Sequence, residues 1–476
     1  MTKKTHLIPL VLCIAMITSS CSMLSDQNKL LDPEKPITIT VWNYYNGTIK
    51  VKFDELVSRF NETIGAEQGI VVEAQSYGDV NELADAVFES ANEEIGAMPM
   101  PDIFASYPDN AFRVDQRSEL ADLNDYFTKE ELSGIREEFL SEGMFGDENA
   151  LKILPIAKST EVLYLNKTYW DVFAKKTGAD LSSLSTWEGL AQTAKEYYES
   201  TGKPFFSVDA NANFMLVSAM QLGEELYQYR GFEASLNFRE DTAYRIWMNY
   251  YIPYVNGYYA KSGRFSSDDA RTGAIAAYTG STAGASYFPG QVESDGASTP
   301  IEVMALPYPH YEGGKAYAVQ QGAGMCISKS DAAHEYAASV FLKWFIDVPQ
   351  NVEFAAATGY LPVKTEALDA DTVLKEMEKE KITNGTVKKT IEAAIDMIQS
   401  YSLYGNKPFE ESYELRSILE TSLFEQVKHD LEVLERRVQA GEDRQAVIDE
   451  LCTMDHFKSW YDDFTGRIQS EISRNR

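Results

Sequence analysis

Histidine and cysteine are scarce in this chain, with five and four copies among 476 residues. Past residue 20 the histidines are His310, His334, His429 and His456, widely spaced and none beside a cysteine, so neither a zinc nor a Cys/His site is expected. No Gly-x-x-x-x-Gly-Lys-Ser/Thr loop, Gly-x-Gly-x-x-Gly turn, Gly-x-Ser-x-Gly elbow or His-Glu-x-x-His pair occurs. Their absence removes the usual signals of nucleotide, dinucleotide, serine-hydrolase and zinc-protease chemistry, and no metal or cofactor is expected. Positive charge is short as well: 43 Lys and Arg stand against 73 Asp and Glu. Such a surface repels polynucleotides and anionic lipid, so no nucleic-acid partner is expected. Beyond residue 20 no stretch is long and apolar enough to cross a bilayer.

What is present begins with an export signal. Lys3 and Lys4 precede an apolar run from Leu7 to Ile17, and Thr18, Ser19 and Ser20 lead to Cys21. Cys21 after small residues resembles a bacterial lipobox, although Thr18 stands where leucine is usual; residues 1–20 then read as signal and Cys21 as the lipidated N-terminus. Residues 21–36 read as a tether. Without residues 1–20 the charge is 41 minus 73, or −32. Cys326 and Cys452 remain; sequence does not show whether they pair, and two free thiols is the simpler reading.

The length implies two domains. Ile37-Thr-Ile-Thr-Val-Trp42 alternates as a strand does, Phe53, Leu56, Val57, Phe60 and Ile64 fall at helical spacing, and a strand at 70–74 follows. A helix through Leu83, Val87 and Ala91 leads to a third strand at 102–105, which implies a parallel sheet with right-handed crossovers. Ligands of open parallel sheets lie beyond the carboxyl ends of the strands. Those ends run into Trp42-Asn-Tyr-Tyr-Asn-Gly47, Tyr77-Gly-Asp79 and Ser106-Tyr-Pro-Asp-Asn110. Rings beside amides and carboxylates suit a sugar, whose C–H faces lie on aromatics while its hydroxyls need short planar partners. At one mouth alone, packing or capping explains such aromatics better; three mouths with the same chemistry point to a site.

Residues 152–166 read as extended chain leaving one lobe for another. Ser185 and Glu188 have capping-box spacing before a helix, with Trp187 turned inward. A strand at 205–208 opens into Asp209-Ala-Asn-Ala-Asn213, another at 274–278 precedes Gly280-Ser-Thr-Ala-Gly284, and a third spans 302–306. Tyr244, Trp247, Met248 and Tyr251 share a helical face that reads as core. Pro307-Tyr-Pro309 is the expected second crossover, with Gly313-Gly314 as slack; Leu415 to Leu434 keep period on one long helix.

Taken together, Pro101-Asp-Ile-Phe104, Leu163-Tyr-Leu-Asn-Lys167, Ser185-Thr-Trp-Glu188, Gly280-Ser281, the 322–328 segment and Gly359-Tyr-Leu-Pro-Val363 resemble, in order and spacing, the extracellular solute-binding proteins of ABC importers, family 1, the carbohydrate group that includes maltose-binding protein. The resemblance implies an α/β fold of two periplasmic-binding-protein-like lobes, each a mostly parallel sheet flanked by helices, joined by hinge crossovers and ending in a helical region. It places lobe 1 at 37–151 and 312–366, and lobe 2 at 152–311 and 367–476. It implies ligand contacts from Trp42, Tyr45, Tyr77, Tyr107, Asp109 and Asn110 on one side, and from Ser159, Asn211, Asn213, Gly280, Ser281 and Tyr413 on the other. Thr282 replaces a tryptophan that many members carry, which removes one stacking platform. The implied protein is a monomeric, membrane-tethered, non-enzymatic lipoprotein that delivers a carbohydrate, an oligosaccharide by expectation, to an ABC permease. The alternatives are a secreted glycoside hydrolase and a sugar-sensing lipoprotein.

Overall fold

The structure, a computed structural model, describes residues 30–146, 150–263, 265–294 and 296–474. The signal segment and Cys21 therefore lie outside the described residues. Strand Ile37–Asn43 pairs in parallel with Ile70–Ser76 on one side and Ile103–Ser106 on the other. Gly324–Ile327 returns antiparallel beside Ile103–Ser106 and completes a four-stranded sheet. Helix Gly47–Phe60 lays Phe53 and Phe60 on this sheet against Phe341 and Phe345 of helix Ala332–Phe345. Helix Val80–Ala91 starts where the Asp79 carboxylate accepts the Asn81 and Glu82 N–H groups, a side-chain cap.

The second sheet has the order Ser402–Tyr404, Tyr317–Gln321, Ser159–Asn166, Ala277–Ser281, Phe206–Val208, with Val303–Leu306 pairing at the far end of Ser159–Asn166. Every residue of Ser159–Asn166 is buried, as the centre of a sheet covered on both faces requires. Helices Trp187–Thr201, Asn211–Gln221, Glu240–Val255, Gly385–Ile398, Ser412–Gln439 and Met454–Ser473 surround it. Trp247 and Tyr251 stack at 3.6 Å between ring centroids and meet Trp460, so that aromatic face is core, while Met248 is exposed. The molecule is thus a two-lobed α/β body with one main sheet and one apolar core in each lobe; the second main sheet is mixed rather than mostly parallel as expected, because Ser159–Asn166 runs antiparallel to Tyr317–Gln321, Ala277–Ser281 and Val303–Leu306.

Three local expectations are corrected. The cap of helix Trp187–Thr201 is Thr186, whose Oγ1 accepts the Gly189 N–H at 3.1 Å; Ser185 closes a preceding 3-10 turn and donates to the Ser182 carbonyl instead. Gly280 and Ser281 do not follow a strand at 274–278 but end the strand Ala277–Ser281, opposite Val162 and Glu161. Most consequentially, the segment around Pro307-Tyr-Pro309 is no crossover. Tyr308 is buried against Trp187, and the strand after it, Tyr317–Gln321, still pairs with Thr160 and Ser159 of the second sheet. The chain changes sheet at Gly322, whose φ is +93° and where a Cβ would lie 2.6 Å from the Ala157 carbonyl oxygen. Residues 312–321 accordingly sit with the second sheet, not the first.

Cys326 and Cys452 are free thiols, the first buried and the second half-buried. Among the described residues no helix is long and apolar enough to cross a membrane.

Candidate functional site

The chain passes between the lobes three times, the last time after Val363 on its way to helix Gly385–Ile398 and strand Ser402–Tyr404, and the first two links run side by side. Ser159 pairs with Gln321, Leu154 with Met325, and Lys158 with Leu361, so the hinge is a small patch of ladder rather than loose chain. The buried Lys158 ammonium is held there by the Glu142 carboxylate and by the Gly322 carbonyl at 3.0 Å. Above this hinge the carboxyl ends of the parallel strands of both sheets face one another, and a cleft opens between them.

The cleft has two adjoining compartments of about 950 and 660 Å³, with Tyr44, Asp209 and Phe265 in the walls of both. The larger is also lined by Asn46, Arg271, Tyr278, Gly280, Ser281 and Tyr287. The smaller is lined by Asn81, Tyr107, Asp109, Asn110, Lys261, Tyr413, Arg416 and Glu420. Each is of the size that encloses a small organic ligand. The rings differ in how they are held. Tyr44 is half-buried, with its hydroxyl 3.3 Å from that of Tyr360, whereas Phe265 and Tyr287 are exposed.

The residues expected to bind are divided by this geometry. Tyr107, Asp109, Asn110, Gly280, Ser281 and Tyr413 line the compartments. Tyr45 touches the larger one but is 2% exposed, its ring wedged against Phe53 and Phe354; Tyr44, one residue earlier, is the ring turned to the cleft. Trp42 and Tyr77 pack on each other at 4.9 Å outside both compartments. Ser159, Asn211 and Asn213 are buried beneath the floor: Ser159 accepts from Ser281, Asn211 from the Tyr250 hydroxyl, and Asn213 from Arg416. Tyr44, Asp209, Phe265, Tyr287, Lys261, Arg416 and Glu420 were not among the expected contacts. Asp209 had a visible signal, because it opens the polar mouth of strand Phe206–Val208.

The tyrosine hydroxyl of Tyr287 donates to Asn46 Oδ1 at 2.9 Å, joining the two lobes across the cleft mouth. At the other end the Arg113 guanidinium lies 4.0 Å from the centre of the Tyr413 ring, and Phe112 meets Phe232. These contacts exist only with the lobes together, so they favour the closed form. Tyr287→Phe is expected to weaken ligand binding by about 2–10-fold, the worth of one neutral hydrogen bond, and to leave the melting temperature unchanged. Titration calorimetry with parallel thermal melts checks both halves of that statement.

Under the floor, the Glu161 carboxylate is 1% exposed and accepts from Asn213 at 2.7 Å and from Gln321 of the second link at 3.0 Å. Burial pushes its pKa up to about 8; the Asn213 hydrogen bond opposes this, the Asp209 and Glu420 carboxylates add to it, and Arg416 opposes it. The folded chain therefore holds this proton to higher pH than the unfolded chain, where the carboxyl titrates near ~4.3. Its contribution to stability is complete below that value and is lost as pH rises through about 8. The slope reaches ~1.4 kcal/mol per pH unit, and Glu161→Gln is expected to abolish it in urea unfolding across this window.

Two α/β lobes joined by paired extended links, with a ligand-sized cleft between strand ends, define a hinged binding protein of the periplasmic type. The chain belongs to the bacterial extracellular solute-binding protein family, which matches residues 55–381. No curated protein sequence matches it. Among solved structures it is similar to the cyclic α-maltosyl-1,6-maltose binding protein of Arthrobacter globiformis, with 18% identity, TM-score 0.63 and coverage of 90% of this chain and 99% of that one. It is similar also to the ABC substrate-binding protein Lmo0181 of Listeria monocytogenes, solved with cycloalternan, at 15% identity and TM-score 0.65 over 91% and 100% of the two chains. UgpB of Mycobacterium tuberculosis, solved with glycerophosphocholine, shows 18% identity and TM-score 0.64 over 84% and 99%. These likenesses establish the shared fold.

Proposed function

We propose that this protein is the substrate-binding component of an ABC importer, capturing an oligosaccharide between its lobes and delivering it to a membrane permease without changing it. The observation that carries this reading is the double cleft, in which Tyr44, Phe265 and Tyr287 supply ring faces while Asp109, Asn110 and Asp209 supply planar polar groups from both lobes. Two connected compartments favour a chain of sugar units over a single one. Solved relatives of the same fold that carry cycloalternan, or that are described as binding a cyclic maltosyl-maltose, support it. Binding closes the hinge because a ligand held by both lobes favours the closed form over the open one. Export and lipidation at Cys21 would tether the monomer on the extracytoplasmic face, with the acyl chains rather than a helix as anchor.

The test is titration calorimetry against a panel of oligosaccharides, amino acids and polyamines, followed by recovery of the bound ligand. Tight binding of one oligosaccharide, recovered with its glycosidic bonds intact, is the expected result. Silence toward every sugar, or release of cleaved product, overturns it.

A further inference from the structure

Two helices start at the cleft. Asn211–Gln221 begins after Ala210 and Pro108–Asp115 after Tyr107, and neither of those preceding residues offers a capping side chain. Open helix starts of this kind are ordinarily where a phosphate or carboxylate is gripped by backbone N–H groups. Here the protein's own acids occupy both. The Glu420 carboxylate, brought from helix Ser412–Gln439, accepts the Ala212 N–H at 2.8 Å. Asp109, in the first turn of the other helix, accepts the Asn110 N–H at 2.8 Å.

The cations in the walls are engaged as well. Lys261 donates to the Asp209 and Val208 carbonyls at 2.7 and 3.3 Å and pairs with the Asp209 carboxylate at 3.7 Å. Arg271 pairs with Asp268. Arg416 donates from Nη2 to Asn213 at 2.8 Å, and its Nη1, which has no hydrogen-bond partner, is sealed from solvent. Among the described wall residues, five carboxylates (Asp109, Asp209, Asp268, Glu293, Glu420) face three cations (Lys261, Arg271, Arg416).

We propose that the cleft selects uncharged or amine-bearing oligosaccharides and excludes acidic ones, with Glu420 and Asp109 closing off the two helix starts that would otherwise take an anionic group. This rests on the carbohydrate reading above and narrows its ligand class. It also separates this chain from a phosphodiester binder of the same fold. Among the described wall residues a uronate or phosphate would meet mostly like charge with no free donor cluster to compensate, and like-charge juxtaposition is a strong means of rejection.

The experiment is calorimetric titration of the full exported chain with matched trisaccharide pairs: mannotriose and trimannuronate, galactotriose and trigalacturonate, cellotriose and its triuronate, with glycerophosphocholine alongside. The acidic member of the pair that binds is expected to be weaker by about tenfold or more at low salt, the gap shrinking as salt screens it. Glu420→Gln combined with Asp109→Asn is expected to narrow the ratio of the two affinities by about tenfold. Equal or tighter binding of the acidic member in the unaltered protein overturns this inference while leaving the carbohydrate reading in place. Silence from all the sugars, with or without binding of glycerophosphocholine, overturns both.

Discussion

Glu142→Ala is expected to lower the free energy of unfolding by about 3–5 kcal/mol, among the largest costs available from one substitution in this molecule. The cause lies on the partner. Lys158 is 1% exposed and keeps only the Gly322 carbonyl once its carboxylate is gone, so a buried ammonium is left without an opposite charge. Because Lys158 and Gly322 belong to two of the links between the lobes, the damage falls on the hinge itself. Lys158→Met in the same chain removes the stranded charge, and the double variant is expected to recover most of the loss. Urea unfolding of the single and double variants decides it: a single variant within 1 kcal/mol or so of the parent would show that water reaches this ammonium after all.

Asp209→Ala carries the largest expected effect on binding, a loss of about 10–100-fold, corresponding to a charge-assisted hydrogen bond removed from the cleft. Among the described residues no other carboxylate is shared by both compartments. Its position is fixed by the Ser266 N–H, which donates to Oδ1 at 2.7 Å, and by the Lys261 ammonium nearby, so little ordering remains to be done when a hydroxyl arrives. Asp209→Asn preserves an acceptor for Ser266 and is expected to fall between the parent and the alanine variant. Calorimetry on the three proteins gives the ranking, and equal affinities would remove Asp209 from the site.

The elements were legible where period was strong. Ile37 to Trp42 and the helix through Phe53 and Phe60 could be read because alternation and helical spacing both arise from one buried face, and the polar character of strand ends followed from sheet topology. Beyond a strand's end the alternation no longer decides orientation, which is why Tyr45 was expected in the cleft and Tyr44 is found there. Phe265 and Tyr287 come from short connecting segments with no period. Arg416 and Glu420 lie on a helix whose regularity was plain, but which wall that helix builds depends on packing against Asn211–Gln221, some two hundred residues earlier. The crossover was misplaced because two prolines mark a break in chain direction, not a change of sheet. One extended run, 317–327, supplies strands to both sheets, and only the φ of Gly322 separates them. The fold and the part of the site at strand ends, such as Tyr107, Asp109 and Asn110, were therefore readable from local pattern, and the rest of the site only from long-range contact.

The lateness of helix Ser412–Gln439 has a bearing on how the protein comes to maturity. Because this helix supplies Tyr413, Arg416 and Glu420 to the smaller compartment, that compartment is incomplete in any nascent fragment that stops short of it. The first sheet too must wait, since its edge strand Gly324–Ile327 is made long after its neighbours. Assembly is thus postponed until most of the polypeptide is available, which makes a completed smaller compartment a certificate of finished synthesis.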